Sequence, residues 1–125
     1  MLGTAKVVAF GATRDSARSR AFYEGVLGLS FIEDNPYACI FDAGGVQLRM
    51  QKVQSLTPQP HTMLGWSVAS IGDVVASLVG KGVTMERYGF LEQDEHGVWT
   101  SPSGAKIAWM KDPDGNLLSL TEPSP

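Results

Sequence analysis

The chain has 125 residues, a formal net charge of -3, 43% hydrophobic residues and one cysteine, Cys39. That length specifies a single domain able to bury roughly two-thirds of its unfolded surface without staples. The acidic balance leaves no basic footprint for nucleic acid. No apolar run reaches the roughly 18 residues that span a bilayer. A lone cysteine excludes an intrachain disulfide and fits a reducing cytoplasm, and Met1 to Gly11 lacks the layout of a secretion signal.

Lys6 to Phe10 predicts a first strand. Thr13 or Asp15 caps the helix that follows, in which Ala17, Ala21, Phe22 and Val26 share a face and Arg14, Arg18 and Glu24 turn outward. Gly28 is placed to stop that helix in the left-handed conformation. Leu29 to Glu33 is a strand, Asp34-Asn35-Pro36 a turn, and Tyr37 to Asp42 a third strand with Tyr37, Cys39 and Phe41 on one face. Gly44-Gly45 signals a hairpin into Val46 to Lys52. There Val46, Leu48 and Met50 alternate with Gln47, Arg49 and Gln51.

Composition then shifts. Gln54 to Pro60 has two prolines and no periodicity, and reads as a connector. After it the element order returns. Met63 to Ala69 is a strand, Asp73 starts a short helix, and Gly82 stops it before a strand from Val83 to Tyr88. An acidic loop, Phe90 to Gly97, separates this from strands at Val98 to Ser101, Ala105 to Met110 and Leu117 to Thr121. Pro102-Ser103-Gly104 is a turn, and Glu122 to Pro125 is an exposed tail. The organisation is one domain over residues 1–125: repeat one over 4–53, connector 54–61, repeat two over 62–121. Each repeat reads βαβββ.

The most specific stretch is Asp112-Pro113-Asp114-Gly115-Asn116. Proline presets φ, Asp112 can accept a backbone N–H from two residues on, and Gly115 supplies a left-handed residue. A turn this defined sets the register of the two strands it joins.

With these pieces in place, the chain resembles the vicinal oxygen chelate superfamily of glyoxalases, bleomycin-resistance proteins and extradiol dioxygenases. Three stretches carry the resemblance. They are Phe22-Tyr23 to Leu27-Gly28-Leu29, Gly65-Trp66-Ser67-Val68 to Lys81-Gly82-Val83, and the closing hairpin from Asp112 to Leu120. The resemblance implies an α+β fold of two βαβββ units forming a curved mixed sheet around a cleft, and commonly a homodimer.

In metal-dependent relatives one ligand stands on each of four strands. By resemblance those positions fall at Val8, at Gln47 or Arg49, at Met63 and at Ser119. A hard or borderline cation needs oxygen or nitrogen donors there, and at best Gln47 offers a neutral one. The expectation is therefore no cofactor, with a divalent metal as the alternative.

The remaining candidates come from residue chemistry. Arg49, on a strand side shared with Gln47, suits a ligand carboxylate or phosphate. Trp66, Trp99, Trp109 and Tyr37 suit an aromatic cleft wall. His96, in the acidic loop with Glu92 and Glu95, suits proton transfer, and His61 is a connector histidine. Two functions follow. One is metal-free binding of a small aromatic or amphipathic molecule by Arg49, Gln47, Tyr37, Trp66, Trp99, Trp109 and His96. The other is a glyoxalase-like lyase or dioxygenase-like enzyme on a small carbonyl or phenolic substrate, with His96 and Arg49 as its acid–base residues or with a non-standard metal site.

Overall fold

Both repeats form as βαβββ units in the computed structural model, which describes residues 1–125. The chain divides into unit one, Met1–Pro58, and unit two, Gln59–Pro125. Unit one runs β1 (Val8–Thr13), α1 (Ser16–Arg20) continuing as a π-helical segment (Ala21–Val26), β2 (Ser30–Asp34), β3 (Ala38–Ala43) and β4 (Val46–Lys52). Its sheet order is β1-β4-β3-β2, with β1 parallel to β4 and the other pairs antiparallel. Parallel neighbours need a crossover, and the helix supplies it before the β2-β3-β4 meander returns to β1. Unit two repeats the plan with β5 (Leu64–Ser67), α2 (Ile71–Gly80), β6 (Trp99–Thr100), β7 (Lys106–Lys111) and β8 (Leu117–Glu122), in the order β5-β8-β7-β6. Each repeat thus closes its own four-stranded mixed sheet. No helix is long and apolar enough to cross a membrane.

In unit one Asp15 is the helix cap: its Oδ1 accepts the Arg18 N–H at 3.1 Å, while Thr13 Oγ1 accepts the Asp15 N–H at 3.1 Å. The buried helix face differs from the one the sequence suggests. Ala17 and Ala21 are exposed, and Ser19 and Tyr23 are fully buried instead. Burying one aromatic ring removes far more apolar surface than burying two methyl groups, so Tyr23 wins the core position. It packs against Phe41 at 5.6 Å and Phe22 at 5.2 Å between ring centroids. Leu27 N–H reaches back to Phe22 O across the π-helical turn, and Gly28 at φ 77° ends the helix as expected.

Burying Ser19 has a cost. Its hydroxyl is fully enclosed and has no hydrogen-bond partner. Ser19→Ala is expected to raise stability by about 1 kcal/mol, because the desolvated hydroxyl returns nothing in the folded state. Urea unfolding checks this as a higher midpoint at an unchanged slope.

The sheet of unit one buries Cys39, Phe41, Leu48 and Met50 completely. β3 is buried on both faces, since Ala38 and Ile40 are also covered. Tyr37 falls outside the strand and is 79% exposed, because Asn35 Oδ1 takes the N–H groups of both Tyr37 and Ala38 and turns the chain there. Burial pushes the Cys39 thiol up from its usual range, Asp34 adds to this, and Arg20 and Lys52 oppose it. The folded chain therefore keeps the thiol proton where the unfolded chain has lost it. The stability this confers is present below the unfolded thiol range of about 8.5 and is lost as pH rises through the raised folded value. Denaturation from about pH 7 to about pH 10, with Cys39→Ala as reference, is expected to show that loss only in the parent chain.

Three expectations for unit two are corrected. Residues 83–88 form no strand, and their one backbone hydrogen bond to β7 runs from the Glu86 N–H to Trp109 O (2.8 Å). β6 pairs with β7 only at Lys106 and Ile107, and beyond it one hydrogen bond to the β7 edge is too few to build a ladder. The helix starts at Ile71, ahead of Asp73. Glu122 is not part of a loose tail but ends β8, where its Oε1 accepts the Ile71 N–H at 3.0 Å and serves the helix start that Ser70 leaves without a side-chain cap.

The closing hairpin behaves as its chemistry dictates, and more fully. Asp112 Oδ1 accepts the N–H groups of Asp114 and Asn116, each at 2.9 Å, and its Oδ2 accepts Asn116 Nδ2 at 2.8 Å. Gly115 adopts φ 90°.

Candidate functional site

Strand register sorts the side chains of each sheet into two faces. In unit two, Leu64-Leu118-Met110 and Trp66-Leu120-Ala108 share a face, and the burial of Leu118, Met110, Leu120 and Ala108 together with Ile71, Val75 and Leu78 marks it as the side that α2 covers. The other face carries Gly65-Ser119-Trp109 and Ser67-Thr121-Ile107-Trp99. Trp66 therefore belongs to the helix side, apart from the other two tryptophans. Period-two alternation sends neighbouring strand residues to opposite faces, and β5 begins one residue later than the sequence suggests.

On the helix-free face four rings form a corner. Trp99 and Trp109 lie 6.3 Å apart at 33°. Tyr88 meets Trp109 edge-on, at 5.4 Å and 86°. Phe90 continues from Tyr88 at 5.5 Å and is 83% exposed. One wall is thus the tryptophan pair, and the other is Tyr88 with Phe90. Sequence reading missed Tyr88 and Phe90. The available signal was the alternation Tyr88-Gly89-Phe90 immediately before the acidic loop. Burial and the nearby Glu86 carboxylate push the Tyr88 phenol up, so it holds its proton and can donate a hydrogen bond at neutral pH. Beside Trp109 stands the Ser119 hydroxyl. Its neighbour Gly65 leaves it uncovered, since a Cβ there would lie 2.8 Å from Ser119 Oγ.

The helix-free face of unit one carries Val8 beside Gln47, and Arg49 between Phe10 and Ile40. Arg49 is half-buried, and its Nη1 donates to Gln47 Oε1 at 3.3 Å. The remaining guanidinium donors suit an anion. His96 extends into solvent with 54% of its side chain exposed, 3.6 Å from Glu95 Oε1. Its loop position follows from Asp94, whose Oδ1 accepts the N–H groups of His96 and Val98. His61 is exposed in the connector.

The four positions where relatives place metal ligands present poor donors. Val8 and Gln47 are register partners, giving one neutral amide. Ser119 is partnered by Gly65, whereas Met63 lies before the strand with its N–H on Leu117 O. No three His, Cys, Asp or Glu side chains gather as a ligand group. The residues present do not fit a hard or borderline divalent ion, which calls for carboxylate or imidazole. A separate groove of ≈ 430 Å³ in unit two, lined by Val68, Lys106, Glu122 and Pro125 among others, holds none of these residues.

Two βαβββ units, each with a helix on one face of its sheet, define the class of proteins built on this repeat. The chain belongs to the Glyoxalase/Bleomycin resistance protein/Dioxygenase superfamily, whose family model matches residues 9–120. Solved structures share the fold at low identity. A superfamily member from Sphaerobacter thermophilus is 20% identical with a TM-score of 0.75, covering 98% of this chain and 100% of its own. A bleomycin-binding protein solved in complex with bleomycin is 21% identical with a TM-score of 0.75, over 97% of this chain and 100% of its own. A fosfomycin resistance protein from Listeria monocytogenes is 14% identical with a TM-score of 0.74, over 97% and 94%. No curated protein sequence matches the chain.

Proposed function

We propose that this protein binds a flat aromatic or amphipathic small molecule on the helix-free face of unit two, without a metal ion. The observation that carries the reading is the corner of Trp99, Trp109, Tyr88 and Phe90. A planar ligand laid on the tryptophan pair meets Tyr88 and Phe90 along its edge, and offset or edge-to-face ring pairs contribute about 0.5–1.5 kcal/mol each beyond area burial. Ser119 and the protonated Tyr88 phenol offer polar points that orient it. The donor set at the family's ligand positions supports the metal-free half of the reading, because an amide and a hydroxyl hold a divalent ion weakly. Bleomycin, bound by one of the fold neighbours, is a suitable first probe.

Tryptophan fluorescence titrated with bleomycin and with a panel of planar aromatic acids and amines is expected to show saturable quenching at one molecule per chain. Metal analysis of the purified protein, followed by calorimetric titration with manganese, nickel, zinc and iron, is expected to show no stoichiometric ion. An ion bound one-to-one at micromolar affinity or tighter overturns the metal-free reading. An aromatic panel that leaves the fluorescence unchanged overturns the binding reading.

A further inference from the structure

The corner depends on a loop with almost no regular structure, so something must hold Tyr88 and Phe90 in place. Residues 83–98 contain one isolated bridge, Gln93 to Trp99. The side chain of Gln93 turns back into its own loop. Its Oε1 accepts the Tyr88 N–H at 2.6 Å, and its Nε2 donates to Glu86 O at 3.0 Å and to Gly97 O at 2.8 Å. Both amide protons and one oxygen lone pair are thereby used. Each bond goes to main chain, which a mobile side chain cannot evade.

The three anchor points are the ones the corner needs. Glu86 is tied to β7 through its N–H on Trp109 O at 2.8 Å. Tyr88 is the ring that meets Trp109 edge-on. Gly97 is buried at φ 81° two residues before Trp99, and a Cβ there would come within 3.2 Å of Met85 Cβ, so that turn is closely packed. Arg87 reinforces the loop from outside, donating to Asp94 O at 2.9 Å and to Gln93 O at 3.2 Å.

We propose that Gln93 is the positioning residue of the binding corner: its amide clips the Tyr88 backbone to the strand that carries Trp109 and to the turn that leads into Trp99. This rests on the reading of the corner as the binding surface. The clip lets a ligand meet rings already in place, rather than ordering them as it binds.

Gln93 is half-buried, so water can satisfy the freed main-chain groups when it is removed. Gln93→Ala is therefore expected to stay folded, to lose near-ultraviolet circular dichroism from the Tyr88–Trp109 pair, and to bind bleomycin or the dye anilinonaphthalene sulfonate about tenfold more weakly. Gln93→Glu separates positioning from bulk stability. Its carboxylate faces the carbonyls of Glu86 and Gly97, whereas its protonated form can donate to one of them while still accepting from Tyr88. Dye binding by this variant should recover as pH falls from about 7 to about 4, relative to parent and Gln93→Ala measured alongside.

Parent-like affinity in Gln93→Ala, with Trp109→Ala impaired, overturns the positioning role and leaves the site standing. Parent-like affinity in both overturns the site itself. If Gln93→Ala fails to fold, the pH profile of Gln93→Glu decides: recovery supports the clip, and a profile parallel to the parent overturns it.

Discussion

Replacing Asp112 by alanine is expected to lower the melting temperature by roughly 10–20 °C, which for a chain of this size corresponds to about 3–5 kcal/mol. The carboxylate is only 5% exposed and holds two backbone N–H groups and the Asn116 amide, all within residues no more than 9% exposed. Alanine removes the carboxylate that these three donors share. Each lost hydrogen bond costs about 1–3 kcal/mol, and the sum falls short of additive because they share one network. Against a typical domain stability of about 5–15 kcal/mol, the loss is severe. Asp112→Asn is expected to fall between the two. It keeps Oδ1 for the backbone but turns an N–H₂ group toward the N–H₂ of Asn116. Thermal and urea unfolding of both variants check the order parent, Asn, Ala. A melting point for Asp112→Ala within about 3 °C of the parent would show that the hairpin does not depend on this carboxylate.

Trp109→Ala is expected to abolish most ligand binding, about 30-fold or more, at a moderate cost in stability. Trp109 is the ring that both Tyr88 and Trp99 touch, so its loss removes the shared side of the corner. A central buried aromatic typically contributes 2 kcal/mol or more to binding, and about 1.4 kcal/mol corresponds to tenfold. Because Trp109 is half-buried, its removal should cost less stability than the roughly 3–5 kcal/mol of a fully buried aromatic. Trp66→Phe serves as the comparison, since Trp66 lies on the α2 side of the same sheet. Titration of both with bleomycin should separate them sharply. Equal affinities would show that the helix-free face is not the binding surface.

The sequence was legible wherever a local chemical rule decided the structure. Glycines at 28, 44, 45, 82, 104 and 115 all take positive φ at the stops and turns their context specifies. β4 appears with the boundaries its alternation implies, and the buried Leu48 and Met50 lie on one face. The repeated βαβββ order and the closing hairpin are properties of short windows, which need no distant partner to be read.

Other features waited for the tertiary structure because they are decided between segments far apart in the chain. Whether Tyr23 or the two alanines face the core depends on Phe41, a residue on another strand. Residues 83–88 carry a strand-like pattern, but a strand exists only when successive residues pair with a neighbour, and here Glu86 alone bonds to the β7 edge. The helix start at Ile71 draws its cap from Glu122, 51 residues away. The corner of rings joins Tyr88, Phe90, Trp99 and Trp109 from a loop and two strands. Local propensity and turn chemistry act over a few residues and are written in the sequence; burial, edge pairing and ring contact are set by neighbours that only folding brings together.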